Sequence, residues 1–174
     1  VQIAEALQNE MERMGQIFWI VPHIRDMTEA QTMIRKLIPK ARVCKIHGQM
    51  EPEDVANIMI HFSEKKYDVM LATSIIEAGV DLPSANTLVI QNAHLFGLAQ
   101  LYQMRGRVGR GKTRAYAYFL LPNHKQLSKN ATKRLDVMQT LDTLGAGFTL
   151  ASHDMDIRGF GNLVGEEQSG HIRE

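Results

Sequence analysis

The sequence holds a single cysteine, Cys44, so no intramolecular disulfide can brace the fold. The role left to a lone thiol in an apolar run is packing in a reducing compartment. Aromatic residues are scarce at 6%, with one tryptophan, Trp19, so aliphatic and methionine side chains must supply most of the core. No apolar run approaches the roughly 20 residues of a membrane span, and no targeting segment precedes the first apolar stripe. Neither a membrane partner nor export is expected, and the cytoplasm is the expected location. No sign of charge dominates either: 20 Lys and Arg stand against 19 Asp and Glu, a net charge of +1. A generally polybasic surface is thereby excluded, and any anion site has to be local.

One local site stands out. Residues 100–114 read QLYQMRGRVGRGKTR, with Arg105, Arg107, Arg110, Lys112 and Arg114 spaced by glycines. Each glycine weakens a helix by about 1 kcal/mol relative to alanine, so a plain solvated basic helix would be better built without them. Small backbone that lets a polyanion approach two arginines is the functional reading. The stretch also matches the phosphate-loop pattern, from Gly106 to Gly111, Lys112 and Thr113. That pattern works only when a strand enters the loop and a helix leaves it. Here Leu98, Leu101, Tyr102 and Arg105 have helical spacing before it, and AYAYFLL after it is strand-like. None of the apolar runs ends in the carboxylate that would hold magnesium, so the match is read as accidental.

The rest of the chain alternates. Ile3, Leu7, Met11 and Met14 form a helical stripe that Gly15 stops, and Ile17 to Val21 is an apolar run of the kind buried on both faces of a sheet. Thr28 with Gln31 looks like a capping box opening a second helix. Residues 42–46, 68–73 and 87–90 are further strands, and Pro52 suits the first turn of a helix packing through Val55, Ile58, Met59 and Phe62. Such alternation implies α/β architecture, a parallel sheet with helices on both faces, whose ligands gather at the carboxyl ends of strands. His23, Gly48, Gln49, Thr73 and Gly79 all follow strand ends. After Pro122 a longer helical stripe runs from Leu127 to Leu144. Phe148, Ala151 and Met155 suggest a second helix returning against it, followed by a polar hook. His153 and Asp154 are two potential metal ligands, too few for a site, and no metal centre is expected. The division expected is 1–123 for the sheet lobe and 124–174 for the helical hairpin and hook.

These residues carry a resemblance. QMRGRVGR at Gln103 to Arg110, with ATSIIEAGVDLPSA at Ala72 to Ala85 and HGQM at His47, resembles the second, RecA-like motor lobe of superfamily two helicases and translocases. The tail, RLDVMQTLDTLGAGFTLASHDMDIRGFGNLVGEEQSG, is similar to the translocation motif shared by RecG branch-migration helicases and bacterial transcription-repair coupling factors. The LGAGF and GEEQSG wording is similar to the latter.

The resemblance implies roles residue by residue. Arg107 and Arg110, with Gln103, would act on ATP across a cleft from a first lobe. Planar guanidinium groups suit the spread charge of a transferring phosphoryl. Gly79 and Asp81 would approach the ribose. Gly48, Gln49, Thr73 and Ser74, with His23 and Arg25, would contact the DNA backbone without reading sequence. A structural loop histidine is the plain alternative for His23. Arg134, Arg158 and Gln168 match polar positions of the translocation motif and would couple nucleotide state to DNA grip. The plain alternative is that both arginines pair with Asp136, Asp154 or Asp156 and staple the hairpin.

The resemblance implies ATP and Mg2+ held mainly by a first lobe. The expected partners are double-stranded DNA, that first lobe, and RNA polymerase and excision-repair proteins through other domains. The chain starts at Val1 without an initiator methionine and reads as an excised piece, inactive by itself. A RecG-type branch-migration helicase is the alternative within the same class. A non-catalytic duplex-binding module and a true phosphate loop are the others.

Overall fold

The computed structural model describes residues 2–73, 85–105, 115–121, 128–144, 148–154 and 162–163. Gln2–Glu12 forms α1, with Ile3 and Leu7 buried as the stripe requires. The helix does not extend to the fourth member of that stripe. Met14 takes a left-handed conformation (φ 65°), is 74% exposed, and ends the helix. Gly15 follows it for a different reason: a Cβ there would coincide with the Glu10 carboxylate.

Gln16–Val21 is β1, buried at every position, as a continuous apolar run predicts. After a short 3₁₀ turn come α2 (Met27–Leu37), β2 (Val43–Ile46), α3 (Pro52–Ser63) and β3 (Val69–Thr73). Pro52 occupies the first turn of α3, where its missing N–H costs nothing. The expected Thr28 capping box is not formed, because α2 begins at Met27 and leaves Thr28 inside its first turn. Asp26 in the preceding turn instead accepts the His23 N–H at 3.0 Å.

The second half holds β4 (Ala85–Gln91), α4 (Leu98–Arg105), β5 (Ala115–Leu121), α5 (Lys129–Leu144), β6 (Phe148–Asp154) and β7 (Asn162–Leu163). The strand order is β2-β3-β1-β4-β5-β6-β7, parallel throughout except for the antiparallel β6–β7 pair. This is the parallel α/β arrangement that the alternation implies and the RecA-like lobe that the resemblance implies, with one correction. The returning helix expected from Phe148, Ala151 and Met155 is a strand: Phe148 pairs with Ala115 and the register continues to Asp154 opposite Leu121. The hairpin therefore has one helix, α5, and the sheet takes the following segment.

Alternation along the strands builds two cores. Phe18, Ile20, Met70, Ala72 and Leu88 face α3, α4 and α5 through Phe62, Leu101, Met104 and Leu135. Ile17, Trp19, Val21, Leu71 and Val89 face α1 and α2 through Ile3, Leu7, Ala30 and Ile34. Cys44 is buried in the first cluster, and desolvation pushes its thiol up to about 12, which fits packing and not reactivity. Among the described residues no helix is long and apolar enough to cross a membrane.

Candidate functional site

The register brings the strand ends to one edge. Ile46, Ala72, Ile20 and Ile90 lie in one row across β2, β3, β1 and β4, and Thr73 pairs with Val21 in the next. The connection after β1 leads toward β2, while the one after neighbouring β3 leads the other way, past β1 to β4. Their carboxyl ends therefore flank the switch point where α/β sheets bind ligands. His23 follows β1 and Thr73 ends β3 at this point, and the turn at 47–50 follows β2 on the far side of β3.

Thr73 is 1% exposed, and its Oγ1 finds no hydrogen-bond partner among the described residues. A buried hydroxyl left unpaired costs about 1–3 kcal/mol, and Thr73 directly precedes residues 74–84, which lie outside the described residues. By strand alternation Thr73 lies on the face shared by Val21, Trp19 and Gln91. Gln91, fully buried at the end of β4, accepts the Trp19 indole N–H at 3.0 Å, and its Nε2 is likewise unpaired. Sequence reasoning missed Gln91; the available signal was a polar residue closing an otherwise apolar strand.

Gly48 and Gln49 are exposed. The Gln49 N–H donates to His47 Nδ1 at 3.2 Å and the Met50 N–H to the His47 carbonyl at 3.2 Å, which fixes the turn that presents them. His23 and Arg25 are exposed around the 3₁₀ turn that follows β1. The exposed carboxylates Glu51, Glu53 and Asp54 follow the 47–50 turn directly. Of the residues at 23–25 and 47–50, Arg25 is the one Lys or Arg. Ser74, Gly79 and Asp81 lie outside the described residues.

The arginine loop belongs to a different part of the fold. Arg107 and Arg110 lie outside the described residues, but the elements on either side are clear: α4 ends at Arg105 and β5 begins at Ala115. Helix in and strand out is the reverse of a phosphate loop. Gln103 is exposed on the last turn of α4, and Arg105 lies over the Tyr102 ring at 5.7 Å.

Arg134 of α5 is half-buried and does not serve as an ion-pair staple among the described residues. Its Nε donates to the Phe96 carbonyl at 3.1 Å and its Nη2 to the His94 carbonyl at 2.8 Å. Burial, and then the neighbouring Arg134 charge, hold the His94 imidazole below its ordinary value. Arg158 and Gln168 lie outside the described residues.

A second polar cluster sits at the other edge. Glu10, 2% exposed, accepts from Arg13 Nη2 at 2.6 Å, Arg13 Nε at 3.1 Å and Thr87 Oγ1 at 2.9 Å. Arg13 also lies 5.7 Å over the Tyr116 ring. Glu10 falls on the Ile3–Leu7 stripe, and a carboxylate on an apolar stripe was the readable sign of this anchor.

Comparison with known proteins follows the same lines. A family model described as the helicase conserved C-terminal domain matches residues 2–112. The chain is 48% identical over 174 residues to a transcription-repair-coupling factor of Rickettsia bellii, covering 100% of this chain and 16% of that protein. It is 49% identical over 172 residues to that of Myxococcus xanthus, covering 99% and 14%. The chain thus spans no more than 16% of either relative's length. Among solved structures, RecG bound to a three-way DNA junction superposes with a TM-score of 0.67 at 35% identity, over 78% of this chain and 18% of that one. The C-terminal domain of the DEAD-box protein Dbp5 gives 0.60 at 17% identity, over 79% and 75%, a likeness of fold alone.

Proposed function

Because the chain belongs to the helicase conserved C-terminal domain family, we propose that it is the second motor lobe of an ATP-dependent double-stranded DNA translocase of the transcription-repair coupling kind. The observation that carries this reading is the order of elements around GRVGRGKT: α4 before, β5 after. That order gives no autonomous phosphate cradle. It leaves two arginines on glycine-rich backbone, which is what a lobe reaching toward a nucleotide held elsewhere requires.

In this reading ATP and Mg2+ are held mainly by a first lobe and supply the phosphoryl transfer. Gly79 and Asp81 position the ribose, Gln103 helps orient the cleft, and Arg107 and Arg110 meet the charge that spreads over the transferring phosphoryl. DNA runs past the carboxyl edge, with Thr73 and Ser74, Gly48 and Gln49, and His23 and Arg25 as positioning contacts. The 124–174 segment, with Arg134, Arg158 and Gln168, relates nucleotide state to movement. RNA polymerase and excision-repair proteins would be met through other domains of a cytoplasmic parent. A RecG-type branch-migration helicase shares every motor feature; the 48–49% identity to coupling factors against 35% to RecG favours the first.

The test is Arg107→Ala and Arg110→Ala in the intact parent. Loss of an arginine of this kind costs about 10³-fold or more in turnover, while DNA affinity stays near normal because the contribution is made in the transition state. Normal turnover with lost DNA affinity would move both residues to the DNA track.

A further inference from the structure

Among the described residues three other than glycine take a left-handed backbone: Met14 (φ 65°), Lys65 (φ 66°) and Asn92 (φ 56°). Two of them have an ordinary reason. The Gly15 N–H donates to the Glu10 carbonyl at 2.9 Å and the Met14 N–H to that of Met11 at 3.0 Å. Lys66 and Lys65 repeat the pattern, to His61 at 3.0 Å and Phe62 at 2.9 Å. These paired bonds close α1 and α3, and the motif requires a left-handed residue where Met14 and Lys65 stand.

Asn92 closes no helix. It follows the last residue of β4 at the carboxyl edge, and its N–H donates across to the Leu120 carbonyl of β5 at 2.8 Å. Its own carbonyl accepts the Leu95 N–H at 3.0 Å, and its side chain caps nothing. From there the chain turns through Ala93–Leu95 into α4, whose last residue, Arg105, directly precedes the arginine loop. Arg134 grips the same turn from α5, at the His94 and Phe96 carbonyls. At the start of α4, Gln100 Oε1 accepts the Gly97 N–H at 2.9 Å. The turn at 92–97 is therefore tied to β5, to α5 and to α4, and Asn92 opens it in the left-handed conformation. Left-handed backbone is tolerated by asparagine and glycine and resisted by β-branched residues.

We propose that Asn92 is a positioning residue for the motor: its left-handed pivot aims α4, the helix that precedes the arginine loop in sequence, while Arg134 fixes that aim to α5. The proposal rests on the reading of this chain as a motor lobe. It assigns the effect to backbone conformation and none to the asparagine amide.

The experiment compares Asn92→Val, Asn92→Gly and Lys65→Val in the intact parent, with Arg110→Ala alongside. Readouts are DNA-stimulated ATP turnover, DNA affinity and displacement of a triplex third strand. Asn92→Val is expected to lower kcat and strand displacement at least tenfold with DNA affinity within about threefold. Asn92→Gly should restore both to within twofold of wild type. Lys65→Val imposes the same backbone strain at the end of α3, before β3 and three strands away from β5, and should leave turnover unchanged. Asn92→Ala resists the left-handed conformation less than valine and carries the same test if Asn92→Val does not fold. Normal turnover in Asn92→Val, a glycine variant as defective as valine, or an equal loss from Lys65→Val would each overturn the proposal. If Arg110→Ala itself leaves turnover intact, the motor-lobe reading fails, and the pivot fails with it.

Discussion

Replacing Arg134 by alanine removes two hydrogen bonds that a charged guanidinium makes to backbone carbonyls, at 2.8 and 3.1 Å. Hydrogen bonds involving a charged partner contribute about 1.5–3 kcal/mol each, and a half-exposed site recovers part of that through water. The expected loss is about 2–4 kcal/mol, or about 4–16 °C in melting temperature for a chain of this size. Lysine keeps the charge but offers a point donor in place of a fork, so Arg134→Lys should lose about half as much. Thermal and urea unfolding of the chain measure both. Because the acceptors are neutral carbonyls, the loss should change little between low and high salt; an acidic staple would be screened. A loss below about 0.5 kcal/mol, or one that vanishes in salt, would refute the clasp.

Met14→Gly should stabilise the chain. Relieving a left-handed non-glycine gains about 1–2 kcal/mol, glycine's extra unfolded freedom returns about 0.5–1, and the 74% exposed side chain gives up little packing. Reduced stability in urea would show that packing of the methionine outweighs its backbone strain. Glu10→Ala should cost about 2–4 kcal/mol, since it strips partners from Thr87 and from an Arg13 that is 39% exposed. Gly15→Ala should be severe in the wild type and mild in the Glu10→Ala background, because the Cβ then has room; equal costs in both would contradict the geometry. His94 is held below its ordinary 6.5 by burial and by Arg134, so the folded state prefers the neutral ring. Stability is full above about pH 6.5 and falls as pH drops through the lowered folded value. His94→Gln should flatten that acid limb, and Arg134→Ala should raise the NMR titration midpoint of His94 part of the way back. An unchanged limb or midpoint would remove His94 from the linkage.

The elements that sequence made legible are those whose signal is local. The unbroken apolar run of β1 reported burial on both faces, and Pro52 marked the start of α3. The carboxyl-edge grouping of His23, Gly48, Gln49 and Thr73 also followed from strand–helix alternation alone. What was not legible depended on distant partners. Phe148–Asp154 has a pattern compatible with a helix, and it is a strand because β5 offers a paired edge from Ala115 to Leu121. Among the described residues Arg134 bonds main-chain carbonyls 38 and 40 residues away, which carry no side-chain signature. Asn92 is one asparagine among several until its φ is known.

The central claim, that this chain is one half of a motor, is tested most directly by DNA-stimulated phosphate release from the purified chain. The order α4, arginine loop, β5 predicts a folded protein with no hydrolysis, with or without DNA. Turnover above background that copurifies with the chain and disappears on Lys112→Ala would contradict it, and would establish GRVGRGKT as a working phosphate loop.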